Sequence, residues 1–227
     1  MRTRPWSRPF DEDHDAFRDS VRRFFADEVA PELDGWRGAV GGPLDLWVSA
    51  AKHGLLGTGI DEQYGGGGVS DPLFAAVLVE EAMAVGAVGT AWVLAAQEGV
   101  AIPLLRDHGS SEQQARWLAP VAAGESAIVP LPFGVAMSAE TVSHGVRLTG
   151  DAHGVAGING PVTFVVRFRA DEGDGIAVVA ADSPGVGVTH VADALGGRDA
   201  TQLDVRFDGV VVGSADLIRP SPDALGA

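Results

Sequence analysis

Four consecutive glycines, Gly65-Gly66-Gly67-Gly68, follow Tyr64 and stand just ahead of Asp71-Pro72. Glycine is needed where backbone takes φ > 0 or approaches other backbone closely, so the chain must turn sharply here. A helix begins at once beyond the turn. Asp71 can cap its free N–H groups, and Pro72 suits the first helical position, where a missing donor costs nothing. Leu73, Phe74, Val77 and Leu78 fall on one face, and Glu80 and Glu81 follow them. A second apolar helix is expected from Thr90 to Arg106, stopped by His108-Gly109. Ser111-Glu112-Gln113-Gln114 has the Ser-x-x-Gln spacing of a capping box and opens a third, and Gly124-Glu125 ends the array.

Upstream, Phe10, Phe17, Val21, Phe24 and Val29 mark an amphipathic surface helix from Phe10 to Glu32, with Pro31 as its end. A glycine-rich loop is expected over Asp34–Gly42, then a short helix from Leu44 to His53, opened by Pro43 and closed by Gly54. The character changes near Gly124. Ala127–Leu131, Val146–Leu148, Val162–Phe168, Ile176–Ala180, Val186–Val191, Leu203–Phe207 and Val210–Val212 are short, Val-rich runs separated by Gly, Pro, Asp and Ser. The pattern predicts an α+β chain. Residues 1–122 form an all-α helical domain, and residues 123–227 form a small antiparallel β-barrel or sandwich, not βαβ units.

A net charge of −15 repels nucleic acid and anionic lipid, and no Lys/Arg cluster follows Arg23. The N-terminus, Met1 to Trp6, is basic but leads into Asp11-Glu12-Asp13, so no signal peptide is expected. The least polar run, Ala82–Gln97, is broken by Gly86 and Gly89 and reads as buried helix, not as a membrane span. Cysteine is absent, which removes disulfides and thiolate chemistry and is compatible with a cytoplasmic location. The six histidines show no ligand spacing, so no metal site is assigned. His144 and His153 share what reads as a hairpin without a carboxylate to complete a site. Glu80 and Glu81 point in different directions on a helix, and solvated or capping roles are expected for them. The tetraglycine does not follow a strand and is read as a packing turn, not a phosphate loop.

As a string, the same stretch resembles acyl-CoA dehydrogenase. The segments that carry the likeness are Gly57 to Gly68 with its Tyr-Gly-Gly turn, Val79-Glu80-Glu81, His108-Gly109-Ser110-Ser111-Glu112-Gln113-Gln114, and Trp117-Leu118-Ala119-Pro120-Val121-Ala122-Ala123-Gly124-Glu125. They come in the family's order and at about its distances. The resemblance implies a helical domain, a β domain, FAD, and α,β-dehydrogenation of an acyl thioester. It places cofactor contacts at Ser138, in the loop that follows the first strand, and at Ala156, where the family carries threonine. Arg198 and Thr201 fall in the stretch from Gly196 to Val212 that looks like the family's last β motif. Gly154 stands where the family's tryptophan would stack on the flavin.

No catalytic residue is assigned. The resemblance implies a further C-terminal helical domain with the base glutamate, whereas this chain stops soon after Leu217-Ile218-Arg219-Pro220 and has no Glu beyond Glu172. The expectation is therefore one part of a split or heteromeric FAD-dependent dehydrogenase, a homo- or hetero-oligomer whose partner is an acyl-CoA dehydrogenase-like chain. The alternatives are a non-redox structural subunit or repurposed enzyme on the same fold, or a remnant without activity.

Overall fold

The computed structural model describes residues 9–37, 41–132, 134–171, 173–191 and 194–218. Expectations at Met1–Trp6, in part of the Asp34–Gly42 interval, and at Phe133, Glu172 and Arg219-Pro220 lie outside the described residues.

Helix α1 (Glu12–Phe24) starts under Asp11, whose side chain accepts from the backbone N–H groups of Asp13 and His14. Glu12, Asp13 and Asp15 fill its first turn and Arg22 and Arg23 its last, as the helix dipole favours. Pro31 does not end the helical path. It sits in the first turn of a 3-10 helix (Ala30–Glu32), where its missing donor is harmless, and α2 (Leu33–Arg37) follows. Leu33 and Trp36 of α2 are buried, so the first part of the interval expected as loop is helix. Helix α3 (Leu44–Lys52) buries Leu46, Trp47 and Ala50.

The glycine corner folds back on the segment before it. Gly67 N–H donates to the Gly57 carbonyl at 3.1 Å, Gly68 to Ile60 at 2.8 Å, and Val69 to Thr58 at 2.8 Å. Gly65 and Gly68 have positive φ, +88° and +68°. Gly66 does not; a Cβ there would stand 2.2 Å from the Ile60 carbonyl oxygen, so it is close approach that requires glycine.

Helix α4 (Pro72–Ala84) starts as expected, with Leu73 N–H donating to Asp71 at 2.9 Å and Pro72 in the first turn. Glu81 is buried, not solvated. Arg18 reaches it at 2.8 Å and Arg22 at 3.1 Å, while Arg18 also touches Glu80 at 2.6 Å. Burial pushes the Glu81 carboxyl up, but the hydrogen bonds and charges of Arg22 and Arg18 outweigh it and hold it below the usual carboxylate range.

Helix α5 (Val88–Ala96), a π turn (Gln97–Ala101) and α6 (Ile102–His108) run end to end. Val88–His108 is the one helix among the described residues long and apolar enough, by length and composition, to cross a membrane. Here it is a core helix packed on α4 and the first strand. Helix α7 (Ser111–Trp117) has its capping box one residue earlier than expected, Ser110 with Gln113. Gln114 instead donates to the Arg106 and Gly109 carbonyls. Helix α8 (Ala119–Ala122) ends the helical layer.

Among the described residues eight strands follow: β1 (Ala127–Pro130), β2 (Met137–Val142), β3 (Gly145–Gly157), β4 (Val162–Ala170), β5 (Gly173–Ala180), β6 (Val186–His190), β7 (Thr201–Gly213) and β8 (Leu217–Ile218). Their order is β6-β7-β3-β2-β4-β5-β8, with β1 also on β4. The sheet is mixed, because β1 and β2 both run parallel to β4. They are successive pieces of one line along its edge: Ala127–Pro130 face Val162–Val165, then Met137 and Ser138 face Phe168 and Arg169. No crossover helix is needed, because the intervening loop is an excursion from a single path. The two runs expected at Leu203–Phe207 and Val210–Val212 are one strand, bent at Gly209, where φ is +65° and the β3–β7 register shifts.

The helical and β layers share their cores. One cluster joins Leu78, Leu94 and Trp47 to the sheet interior at Leu148, Phe164 and Phe207. A second joins Ile60, Ile102, Leu105 and Leu118 to Ile128, Val165, Val178 and Ile218.

Candidate functional site

The seam between the start of α5 and the paired ends of β3 and β7 gathers most of the residues singled out above. Helix α5 has no cap of its own, since Ala87 precedes it and offers no side-chain oxygen. Its free N–H groups are satisfied from far along the chain. Asp199, 3% exposed, accepts from Gly89 N–H and Thr90 N–H, each at 2.9 Å, and from the Thr90 hydroxyl at 3.0 Å. The backbones meet closely there: a Cβ on Gly89 would lie 2.2 Å from the Gly197 carbonyl oxygen. Gly42 N–H also donates to the Asp199 carbonyl at 3.0 Å. The approach to β7 is thereby clamped to the helical layer at two points.

On this clamp, Thr201 pairs with Gly157 and Gln202 with Ala156. Thr201, Leu203 and Val205 are buried in the sheet interior, so Ala156 and Gln202, both half-buried, take the outward face. Gln202 donates its side-chain N–H to the Gly196 carbonyl. Trp92 of α5, 50% exposed, stands beside Gly197, whose φ is +66°. Arg198 is exposed next to Asp199. Ser138 is not part of this group. It is exposed on β2, paired with Thr149 and Arg169, and Thr149 precedes Ala156 on β3 by a distance on the order of 20 Å.

Gly154 lies in the irregularity between Ala152 and Val155, with φ +67° and open space where a Cβ would point. Its N–H donates to Asp204 at 3.2 Å, and His153 Nδ1 meets the same carboxylate at 3.2 Å. The His153 hydrogen bond, followed by that of Gly154, holds the Asp204 carboxyl below its ordinary value. His144 lies in the β2–β3 turn and His153 far along β3, so the two are not turn partners. Among the described residues no group of three or more His, Cys, Asp or Glu could hold a metal ion. A separate open depression of ≈ 430 Å³ between β4, β5 and β6 contains Asn159, Thr163, Asp182 and His190 but none of Ser138, Ala156, Arg198 or Thr201.

A flavin at the seam does not fit the residues present. The outward wall offers a methyl group at Ala156 and bare backbone at Gly154, so it has neither the hydroxyl nor the aromatic plane that the resemblance calls for. The carboxylates placed here, Asp199 and Asp204, are both engaged as described. Asp199, Trp92 and Gln202 carry no local sequence signal that marks them as part of the seam. The sequence places this helix start at Thr90, whereas the helix begins at Val88 after Ala87, which has no capping oxygen, so its need for acceptors from elsewhere shows only in the fold.

Residues 11–125 match the family "Acyl-CoA dehydrogenase, N-terminal domain". The long-chain specific acyl-CoA dehydrogenase of Rattus norvegicus mitochondria is 36% identical over 118 residues, 52% of this chain and 27% of that protein. A short-chain specific acyl-CoA dehydrogenase of Clostridium acetobutylicum is 26% identical over 222 residues, 88% of this chain and 56% of that one. The fold superposes with a TM-score of 0.82 on a glutaryl-CoA dehydrogenase from Mycobacterium smegmatis in complex with FADH2, at 20% identity, over 95% of this chain and 58% of that chain. The chain therefore spans between about a quarter and three fifths of the length of these relatives. The helical layer and the glycine corner that organises it lie within the matched residues, and this chain belongs to the acyl-CoA dehydrogenase family.

Proposed function

We propose that this chain is a subunit of a heteromeric, FAD-dependent dehydrogenase acting on an acyl thioester, in which an acyl-CoA dehydrogenase-like partner chain presents the flavin and the base. The observation that carries the reading is the contrast at the seam. The joint is kept intact, with Asp199 buried under α5, while the wall beside it is bare at Gly154 and Ala156. A clamp of this kind supports a scaffold role. This chain holds the helical layer against the β layer, and the half-exposed Trp92 and the outward Gln202 face the partner. The bare wall equally favours the second reading, a non-redox subunit on the same fold.

In this reading the helical unit ends near residue 122 and the β unit begins at 123. The cysteine-free composition suits a reducing compartment, the cytoplasm. Titration of the isolated chain with FAD, followed by flavin fluorescence, tests where the cofactor is held. No saturable binding is expected. One-to-one binding by the chain alone would contradict the division of labour.

A further inference from the structure

Glu98 is a buried carboxyl that no role described so far uses. It sits in the π turn Gln97–Ala101, where the wider turn sends two neighbouring polar side chains inward. Gln97 is fully buried, and Glu98 is 6% exposed. Gln97 accepts from Ile128 N–H of β1 at 3.1 Å and donates to Glu98 Oε1 at 3.1 Å. The same Oε1 accepts from Gly57 N–H of the glycine corner at 3.0 Å. One line of hydrogen bonds thus joins β1, the core helix and the corner. Glu98 Oε2, in contrast, makes no well-formed hydrogen bond among the described residues, the Thr58 backbone N–H being the further donor that acts on the carboxyl.

We propose that Glu98 is a proton-operated latch on the glycine corner: it closes the Gly57–Gly68 loop as a neutral acid, and ionisation releases the loop. An ionised carboxylate needs both oxygens solvated or paired, and here one of them is buried without a well-formed hydrogen bond. The groups that face it are neutral: the Gly57 and Thr58 backbone from the corner, Gln97 from its own turn and, through Gln97, Ile128 of β1. The nearest cation on α6, Arg106, lies toward Gly59 and pairs with Asp107. Burial, opposed by hydrogen bonds from Gly57, Gln97 and Thr58, pushes the Glu98 carboxyl up from its ordinary value.

The sign follows from linkage. A carboxyl raised in the closed state stabilises closure fully below its open-state value of about 4.3. That contribution is lost as pH rises through the closed-state value. With one proton released on opening, the opening equilibrium grows up to about tenfold per pH unit across that window.

Hydrogen exchange of the Gly57–Val69 amides, corrected for the intrinsic pH dependence, reads the latch directly. In the wild type, protection is expected to fall by up to about tenfold per pH unit above the open-state value, whereas Glu98→Gln holds it constant. The same decline in Glu98→Gln, or none in the wild type, would overturn the proposal. Infrared spectra give a second readout that needs no variant. A protonated-carboxyl band that persists in the wild type above the ordinary carboxylate range, where exposed acids are ionised, supports the latch, even should Glu98→Gln fail to fold. Its absence refutes the latch.

Discussion

Replacing Asp199 with alanine is expected to lower stability by about 3 kcal/mol, because three donors at the start of α5 lose their charged acceptor together. Gly89 N–H and Thr90 N–H are buried under the β7 approach, so water cannot replace the carboxylate without opening the seam. For a chain of this size the loss corresponds to a melting temperature lower by roughly 6–12 °C. Asp199→Asn keeps an acceptor oxygen and should recover part of the loss. Thermal unfolding of both variants checks this. A loss below about 1 kcal/mol in Asp199→Ala would show that the clamp is incidental to the joint between the layers.

Gly66→Val should be more severe, with a loss above about 4 kcal/mol or a failure to accumulate as folded protein. A Cβ at this position meets the Ile60 carbonyl oxygen at 2.2 Å and the Ile60 Cβ at 2.4 Å. Backbone cannot rotate out of the way as a flexible side chain can, so the corner itself must reopen. That would pull Gly67 and Gly68 off the Gly57 and Ile60 carbonyls and loosen the segment that Glu98 holds from the other side. Soluble yield and melting temperature are the measurements. A variant within about 1 kcal/mol of wild type would mean that the corner has room the packing denies.

These two positions also show what a sequence gives away. The turn at Gly65–Gly68 and the start at Asp71-Pro72 were legible because their causes are local: glycine freedom, a cap and a proline, all within a few residues. The capping box of α7 was misplaced by one residue because Ser110-Ser111 and Gln113-Gln114 offer two equal registers. Gln114 is taken by the Arg106 and Gly109 carbonyls, a choice the local spacing does not reveal.

Glu81 reads as a surface acid until Arg18 and Arg22, 63 and 59 residues away, come to it. Strand β2 has no apolar run to mark it, because Met137–Val142 carries Glu140 and Thr141 on a largely exposed strand. Without β2, nothing in the sequence separates Ser138 from the seam. Ala156 and Thr201 do lie together there, because the long β3–β7 ladder brings the end of one strand to the start of the other. Asp199 needed the fold, since its partners lie 109 and 110 residues away.

Native mass spectrometry of the protein isolated from its own host tests the central claim, that this chain is one part of a divided dehydrogenase. The predicted spectrum is a heteromer containing this chain and an acyl-CoA dehydrogenase-like partner, with the mass of FAD retained and lost only when the partner dissociates. A homo-oligomer of this chain without flavin would contradict the claim and leave the bare wall at Gly154 and Ala156 as the surface of a non-redox protein.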